Sequence, residues 1–581
     1  MDRVVDRDNL ALALDPAPAD MPVKGFTEPL PRPVALPSHP HSTGWRLLVI
    51  GIWLTLTGTA TWWLGGGLAA DGLSAGEIVL LTLFTLCFGW LAFGFALTVA
   101  GFLALKRSVP PAGMNRPTST ASLLPPRGRT AVLMPLRNED PTESLAKLES
   151  LIRDLAALKM DGHFAFHILS DSNVEEVIEK ERRVWQRLVR SWPQFRIMWR
   201  VRTDNYGKKA GNIAEFCRSH GGRYDYMLIL DADSLMSGRT LASLARLMDA
   251  NPDAGIIQVS PGLTEGETRF TRYRALATRI YGPIASAGLS IFAGSEANYY
   301  GHHAIIRVRA FTENCGLPEL PGKAPLGGPI MSHDFVEAAL VRRSGWRVWL
   351  AYELDGAVED SPPTLIDEIK RDRRWMQGNL QHLRLLRMHG LHPLSRLHFF
   401  MGAWAYMVSA VWMALVVTSL IVSPGGGEAG AVLPSILMIT LVLLFAQKLL
   451  GITHALAEGK ERSSWRFWRD VIGEQIFSTL TSPLFMVFHT RFLLQTLRGQ
   501  VDAWGAQARG ARRLSWGEVW STHMLPVGVG VVLLGLAWWF SPTALPWLAP
   551  VLAGLWLGPV ATWWSAGAAR SPVRAPFPAV A

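Results

Sequence analysis

The sequence predicts an α/β domain with a mostly parallel sheet, set between α-helical segments that cross a membrane. Three observations carry that reading. The chain has 581 residues, 49% of them hydrophobic and only 18% charged, with 24 tryptophans, which is too apolar for one ordinary soluble domain. Its long apolar runs are grouped on either side of a stretch of ordinary soluble character, from Leu105 to Phe399. Inside that stretch short apolar strands alternate with helical patterns, as in sheets covered on both faces by crossover helices.

Residues 1–44 (…DPAPADMPVKGFTEPLPRPVALPSHPHS…) are Pro-rich with few aromatics and read as a disordered or extended tail. Runs able to cross about 30 Å of hydrocarbon are Leu47–Leu68, Ile78–Leu105, Phe399–Val422 and Val432–Ile452, followed by Leu525–Phe540 and Leu545–Trp564. The turns Asp71–Glu77, Ser423–Gly430 and Ser541–Ala544 carry no Lys or Arg. Lys106, Arg107, Lys460, Arg462, Arg466, Arg469, Arg570 and Arg574 lie at the opposite ends. The excess of positive charge on cytoplasmic loops then places both termini and the large domain in the cytoplasm. Val471–His489 is apolar enough to span, yet spanning would carry the basic stretch Arg491–Arg513 outside, so a re-entrant or interfacial helix is expected there. The expected organisation is a tail (1–44), two spans (45–105), a cytoplasmic domain ending in interfacial helices (106–395), two spans (396–456), an interfacial or re-entrant segment with a gating loop (457–523), two spans (524–566) and a cytoplasmic tail (567–581).

In the domain, TAVLMPL, FAFHILSD, FRIMWRV, DYMLILDAD and AGIIQV read as strands, and Val174–Arg190, Lys208–Ser219 and Thr240–Asp249 as helices. No Walker loop and no GxGxxG follows the first strand, which removes support from ATPase and dinucleotide readings. Three strands end in acids or amides: PLRNED (Pro135–Asp140), SDSN (Ser170–Asn173) and DADS (Asp231–Ser234). Ligands of such sheets bind at the carboxyl ends of strands. Residues two apart on a strand share a face, so Asp231 and Asp233 are expected to hold one cation together. Mg²⁺ or Mn²⁺ suits them, because each accepts one or two carboxylates, water and substrate phosphates as ligands.

These elements, with KKAGN at Lys208–Asn212, SHD at Ser332–Asp334 and RDRRW at Arg371–Trp375, resemble the membrane-embedded, cellulose-synthase-like family-2 glycosyltransferases. SHDFVEAALVRRSGWRVW, EIKRDRRWMQGNLQH, YYGHHAIIR and VDAWGAQAR narrow the resemblance to the glucans biosynthesis glucosyltransferase H family. That resemblance implies a GT-A-type, Rossmann-like mixed sheet in the bacterial inner membrane. It also implies an inverting, processive enzyme that builds the β-1,2-linked backbone of osmoregulated periplasmic glucans from UDP-glucose and passes it across the membrane. UDP-glucose, the growing glucan, membrane lipids and a periplasmic glucan-processing protein are the implied partners.

Under that resemblance Glu139 and Asp171 would hold uridine, Lys208 and Lys209 the diphosphate, Asp231 the ribose or metal, and Asp233 the metal. Glu139 also reads as a helix first-turn acid. Asp334 would be the general base, a role typically worth ~10²–10⁴-fold. It also reads as an N-cap with Glu337 as its capping-box partner, and a helix N-terminus would lower its pKa. Arg371, Arg374 and Trp375 share a helix face, where the arginines would steady the leaving diphosphate and Trp375 would floor the acceptor sugar. Many relatives have Gln where this chain has Arg371. Lys370 and Arg373 read as interfacial. Arg498–Arg513 matches a loop that closes over the nucleotide, with Trp504 and Gln507 as its contacts.

A sibling synthase making another polymer is the alternative enzyme. A transporter with a regulatory α/β domain does not account for the strand-end acids together with Asp334. Nucleic-acid binding has only the net charge of +10 in its favour and is excluded, and Cys87, Cys217 and Cys315 lack metal-ligand spacing.

Overall fold

The computed structural model describes residues 16–25, 40–69, 72–117, 124–422, 428–500 and 510–569. Helices α1 (Pro40–Leu68) and α2 (Ala75–Lys106) come first. The α/β domain then runs β1 (Thr130–Leu136), α3 (Pro141–Ala157), β2 (Phe164–Ser170), α4 (Glu175–Ser191), β3 (Arg196–Val201), α5 (Lys208–His220), β4 (Tyr226–Ile229), β5 (Leu235–Met236) and α6 (Gly238–Ala250). It continues with β6 (Ala254–Gln258), β7 (Gly262–Leu263), α7 (Arg269–Ala293), β8 (Ala304–Arg307), α8 (Val308–Asn314), α9 (His333–Arg343), β9 (Arg347–Leu350), β10 (Ala357–Glu359) and α10 (Leu365–His382). Helices α11 (Pro393–Ile421), α12 (Glu428–Ala457), α13 (Trp465–Leu497), α14 (Trp516–Phe540) and α15 (Leu545–Ser565) complete the chain. Among the described residues seven helices are long and apolar enough to cross a membrane: α1, α2 and α11 to α15.

The main sheet has seven strands in the order β3-β2-β1-β4-β8-β6-β9. Only β8 is antiparallel to its neighbours. Its strands are almost uniformly buried because helices cover both faces. Leu145, Leu148, Trp185 and Leu244 fill one side, and Ile213, Phe216, Phe311 and Val341 fill the other. Each such side chain contributes about 1.5–3 kcal/mol of burial. A small sheet, β5-β10-β7, is attached just past the end of β4.

The reversed strand places a loop at the site. Because β8 runs against β4, its beginning lies at the carboxyl end of β4, and His303 N–H donates to Ile229 O at 2.9 Å. Gly301, His302 and His303 thereby share the crevice that follows β4.

Two expectations are corrected here. The strand ends at Ile229, so Asp231 and Asp233 lie on a turn rather than on alternating strand positions. That turn is closed by Ser234 N–H to Asp231 O at 2.9 Å and by Asp231 N–H to Ser234 Oγ at 3.0 Å. The tail, expected to be disordered over 1–44, contains an ordered segment. Ala17 N–H donates to Ser219 O at 2.9 Å, and Lys24 N–H donates to Gly316 O at 2.8 Å. Met21, only 4% exposed, joins the core beside Phe216 and Phe311. Composition hid this segment because one apolar anchor and borrowed backbone partners suffice to hold it.

The domain is locked to the spans where backbones meet. A side chain at Gly101 of α2 would overlap Ile284 O of α7, and one at Gly288 would overlap Leu97 O. Arg46 of α1 adds bonds to Phe292 O at 2.9 Å and Glu296 Oε2 at 2.5 Å.

Candidate active site

Lys209, in the first turn of α5, reaches across to the turn after β4. Its ammonium bonds the Asp231 carboxylate and donates to Gly301 O at 2.8 Å. Gly207, at φ 67°, takes the left-handed conformation that starts this helix. Gly211 permits the tight return, since a Cβ there would overlap Tyr206 O. Burial would raise the pKa of Asp231, but Lys209 and then His302 outweigh it and hold the carboxyl far below its usual range. In this structure the positive group beside Asp231 is therefore an ammonium.

Other groups hold the same turn. Lys147 of α3 donates to Asp233 O at 3.3 Å and bonds Asp360. His302 Nε2 donates to Glu359 Oε2 at 3.0 Å, and its Nδ1 lies 2.7 Å from His303 Nδ1. Burial works against charge on His302, yet Glu359 and Asp231 raise its pKa to about 9; burial and then the charge of His302 push His303 down to about 3. Sequence reasoning passed over Lys147, His302 and Glu359. Adjacent histidines in YYGHH were the only local signal.

Asp171 is buried and taken by Arg202, whose Nη2 lies 2.9 Å from its Oδ2 and whose Nε bonds Oδ1. The same guanidinium donates to Tyr206 O at 3.1 Å and Lys208 O at 2.7 Å, so it anchors the loop that carries the lysines. Lys208 is exposed at φ 50°. Partial burial, and then the charge of Arg137, depress its ammonium pKa, so two cations stand near one another between β1 and α5. Glu139 Oε2 accepts from Arg137 N–H within its own turn.

Asp334 is the second residue of α9, and the position before the helix belongs to Ser332, without a side-chain cap bond. The expected N-cap and capping box are therefore corrected, and Glu337 binds His333 Nδ1 at 2.9 Å instead. The expected direction of its pKa is reversed too. Burial raises the Asp334 carboxyl, with His333 and Lys209 opposing and Glu337 adding to the rise. A Cβ on Gly301 would lie 3.5 Å from Asp334 Oδ2, which puts this carboxylate across one glycine from Lys209.

Helix α10 supports that arrangement from below. It starts where Thr364 Oγ1 accepts from Asp367 N–H at 3.3 Å. A side chain at Gly378 would overlap Ser332 Oγ. His382 Nε2 donates to Ser332 O at 2.8 Å, and Gln381 Oε1 accepts from Met331 N–H at 2.9 Å. Arg371 is buried, bonded to Glu368 Oε1 at 2.6 Å, and stacks 4.2 Å from the Trp375 ring centroid. Trp375 remains 44% exposed, and Arg374 is half-buried beside it. Trp504 and Gln507 lie outside the described residues.

The structure thus brings Asp231, Lys209, Gly301 and Asp334 together, with α10 directly behind. Residues 226–447 match the family model described as "Glycosyl transferase family group 2". The "Glucans biosynthesis glucosyltransferase H" of Xanthomonas campestris pv. campestris is 36% identical over 592 residues, spanning 94% of this chain and 91% of that protein. The chain belongs to the glucans biosynthesis glucosyltransferase H family. The protein of the same name from Pseudomonas putida strain F1 is 39% identical over 82% of this chain, and that from Cupriavidus pinatubonensis is 37% identical over 89%. The chain spans only 58% and 62% of the length of those two relatives. Among solved structures, the mannosyltransferase PcManGT from Pyrobaculum calidifontis, in complex with GDP-Man and Mn²⁺, is 16% identical with a TM-score of 0.40, over 65% of this chain and 100% of that one. The α/β domain has a mixed sheet and is flanked by long apolar helices.

Proposed function

We propose that this chain is an inverting, processive glucosyltransferase that uses UDP-glucose to build the β-1,2-linked backbone of osmoregulated periplasmic glucans and passes it across the inner membrane. The observation that carries the reading is the facing pair of Asp231 and Asp334, with Lys209 and Gly301 between them. One carboxylate serves the donor side and the other the acceptor side of a single crevice.

Lys208, Lys209 and Arg137 supply positive charge for the diphosphate, and Trp375, backed by Arg371, supplies a face for the acceptor sugar. Arg374 and Arg371 steady the leaving group. Asp334 takes the proton of the acceptor hydroxyl as its oxygen bonds the sugar's C1. The C1–O bond to the diphosphate breaks on the opposite face, and its electron pair leaves with UDP. Burial raises the pKa of Asp334, which makes its carboxylate a stronger base than an exposed one.

A divalent cation fits the donor side. Among the described residues no group of three His, Cys, Asp or Glu could hold one alone. Asp231 and Asp233 therefore suit an ion that completes its shell with water and diphosphate, as Mg²⁺ and Mn²⁺ do. When bound it would neutralise charge on the departing diphosphate.

The first half of α13 meets α7, and its middle packs on α15, where side chains at Gly554 and Gly558 would overlap Pro483 and Leu484. Tyr281 OH of α7 donates to Glu474 at 3.3 Å, and Arg279 reaches Glu461 at 2.6 Å just before the helix. Sixteen residues beyond Gly473, which packs under Tyr273, His489 lies 3.2 Å from Asp372 of α10. Arg274 on α7 and Glu368 on α10 are joined at 3.0 Å. An interfacial or re-entrant α13 would keep the basic stretch from Arg491 to Arg513 on the donor side, with Trp504 and Gln507 as candidate lid contacts, and both termini cytoplasmic. A periplasmic glucan-processing protein would receive the product.

The test is polymer formation from sugar-labelled UDP-glucose by the full chain in nanodiscs, with Mg²⁺, with chelator, and in Asp334→Asn. Metal-dependent labelled β-glucan that falls at least ~10²-fold in the variant, and yields to a β-1,2-specific glucanase, is expected. Undiminished synthesis by the variant would remove Asp334 as the base.

A further inference from the structure

Beside the proposed base stands His333, with a carboxylate behind it that no part of the transfer uses. Glu337 is 1% exposed. Its Oε1 accepts from His333 Nδ1 at 2.9 Å, and among the described residues its Oε2 has no hydrogen-bond partner. A buried carboxylate with a single partner is costly, so packing alone does not explain its place. Four residues apart on α9, the two side chains share a face. The bond fixes the proton on Nδ1, and the His333 side chain is 12% exposed.

Charged and titratable groups meet this pair from each neighbouring element. From α5 come Lys209, the second cation acting on Asp334, and the buried thiol of Cys217, which burial and then Glu337 push up to about 12. From α10 comes His382, which burial holds neutral with a pKa of about 4, and whose Nε2 is committed to Ser332 O. The loop before β8 brings the buried phenol of Tyr299, and the end of α8 brings the buried thiol of Cys315, both neutral because burial raises their pKa values. Burial disfavours charge on His333, but Glu337 and Asp334 outweigh it.

Resting on the assignment of Asp334 as base, we propose that His333, oriented by Glu337, is a positioning residue for the transfer: its imidazolium keeps the neighbouring base carboxylate ionised in its buried setting. His333 keeps its own proton throughout. The acceptor's proton passes to Asp334 as the C1–O bond forms and the bond to the diphosphate breaks.

The experiment is kcat and KM for UDP-glucose as functions of pH, using the full chain in nanodiscs and the variants H333Q, H333K and D334N. In H333Q the acid limb of kcat should move to higher pH by about one unit or more, with KM little changed and kcat recovering at alkaline pH. H333K, which retains the charge, should keep the limb where the unaltered protein has it. A uniform loss of kcat in H333Q at every pH, or a limb displaced in H333K as far as in H333Q, overturns the proposal. If H333Q does not fold, H333K decides: a limb in place supports the charge role, and a displaced one overturns it. Full activity in D334N removes the base assignment and this inference with it. An inactive D334N together with an unmoved limb in H333Q removes this inference alone.

Discussion

At the scale of single residues, the site depends on charges whose partners are distant in sequence. Asp171 shows this most plainly. The resemblance assigned it to uridine, yet both its oxygens meet Arg202, and both residues are buried. Removing one partner of a buried ion pair leaves the other uncompensated, at a cost of about 3–5 kcal/mol. Asp171→Asn should therefore lower the unfolding midpoint, read by thermal melting in detergent, and loosen the loop of Lys208 and Lys209. An unchanged midpoint would leave the aspartate a binding role without a structural one. Asp334 illustrates the same dependence. Its position near a helix start predicts a lowered pKa, whereas burial in the folded chain raises it.

At the scale of elements, two junctions hold the proposed catalytic groups in register. Helix α10 touches the start of α9 through Gly378, where there is no room for a methyl group against Ser332 Oγ. Gly378→Ala should push the two helices apart and move Asp334 from the crevice. The expected result is a fall in kcat with little change in KM for the donor, since Asp231 and Lys209 lie on other elements. An equal change in both constants would mean that the disturbance spreads through the whole site. The ordered segment 16–25 is the second junction. Met21 seals the core beside α5, the helix that carries Lys209. Met21→Ala should cost about 2–5 kcal/mol, measured as a shift in denaturant midpoint; a shift near zero would show that the segment adds nothing to the stability of the domain.

For the whole molecule, the decisive question is which face of the membrane each element meets. α13 is a continuous helix of 33 residues, long enough to span; Glu474 meets α7 and His489 meets α10, while Pro483 and Leu484 between them pack on α15. Single cysteines at Ser463 and Gln500, both exposed, bracket it. In sealed inside-out vesicles an impermeant maleimide should label both. Labelling of only one would make α13 a seventh span and would place the lid candidates Trp504 and Gln507 across the membrane from Asp231.

What the sequence determined by itself was whatever repeats locally. β1 matches its expected bounds, and α4, α5 and α6 lie within a few residues of theirs, because strand and helix periods are written in consecutive residues. The spans were legible for the same reason, as uninterrupted apolar length. The strand-end acids pointed to the crevice because parallel strands share one functional edge. Only tertiary structure decided which charges meet there. Lys209 finds Asp231, Arg202 finds Asp171, and His302 finds Glu359 through loops and a reversed strand that no local pattern reports. The ordered segment 16–25 and the raised pKa of Asp334 also belong to the folded chain, since both follow from burial, and burial is a property of what packs around a residue.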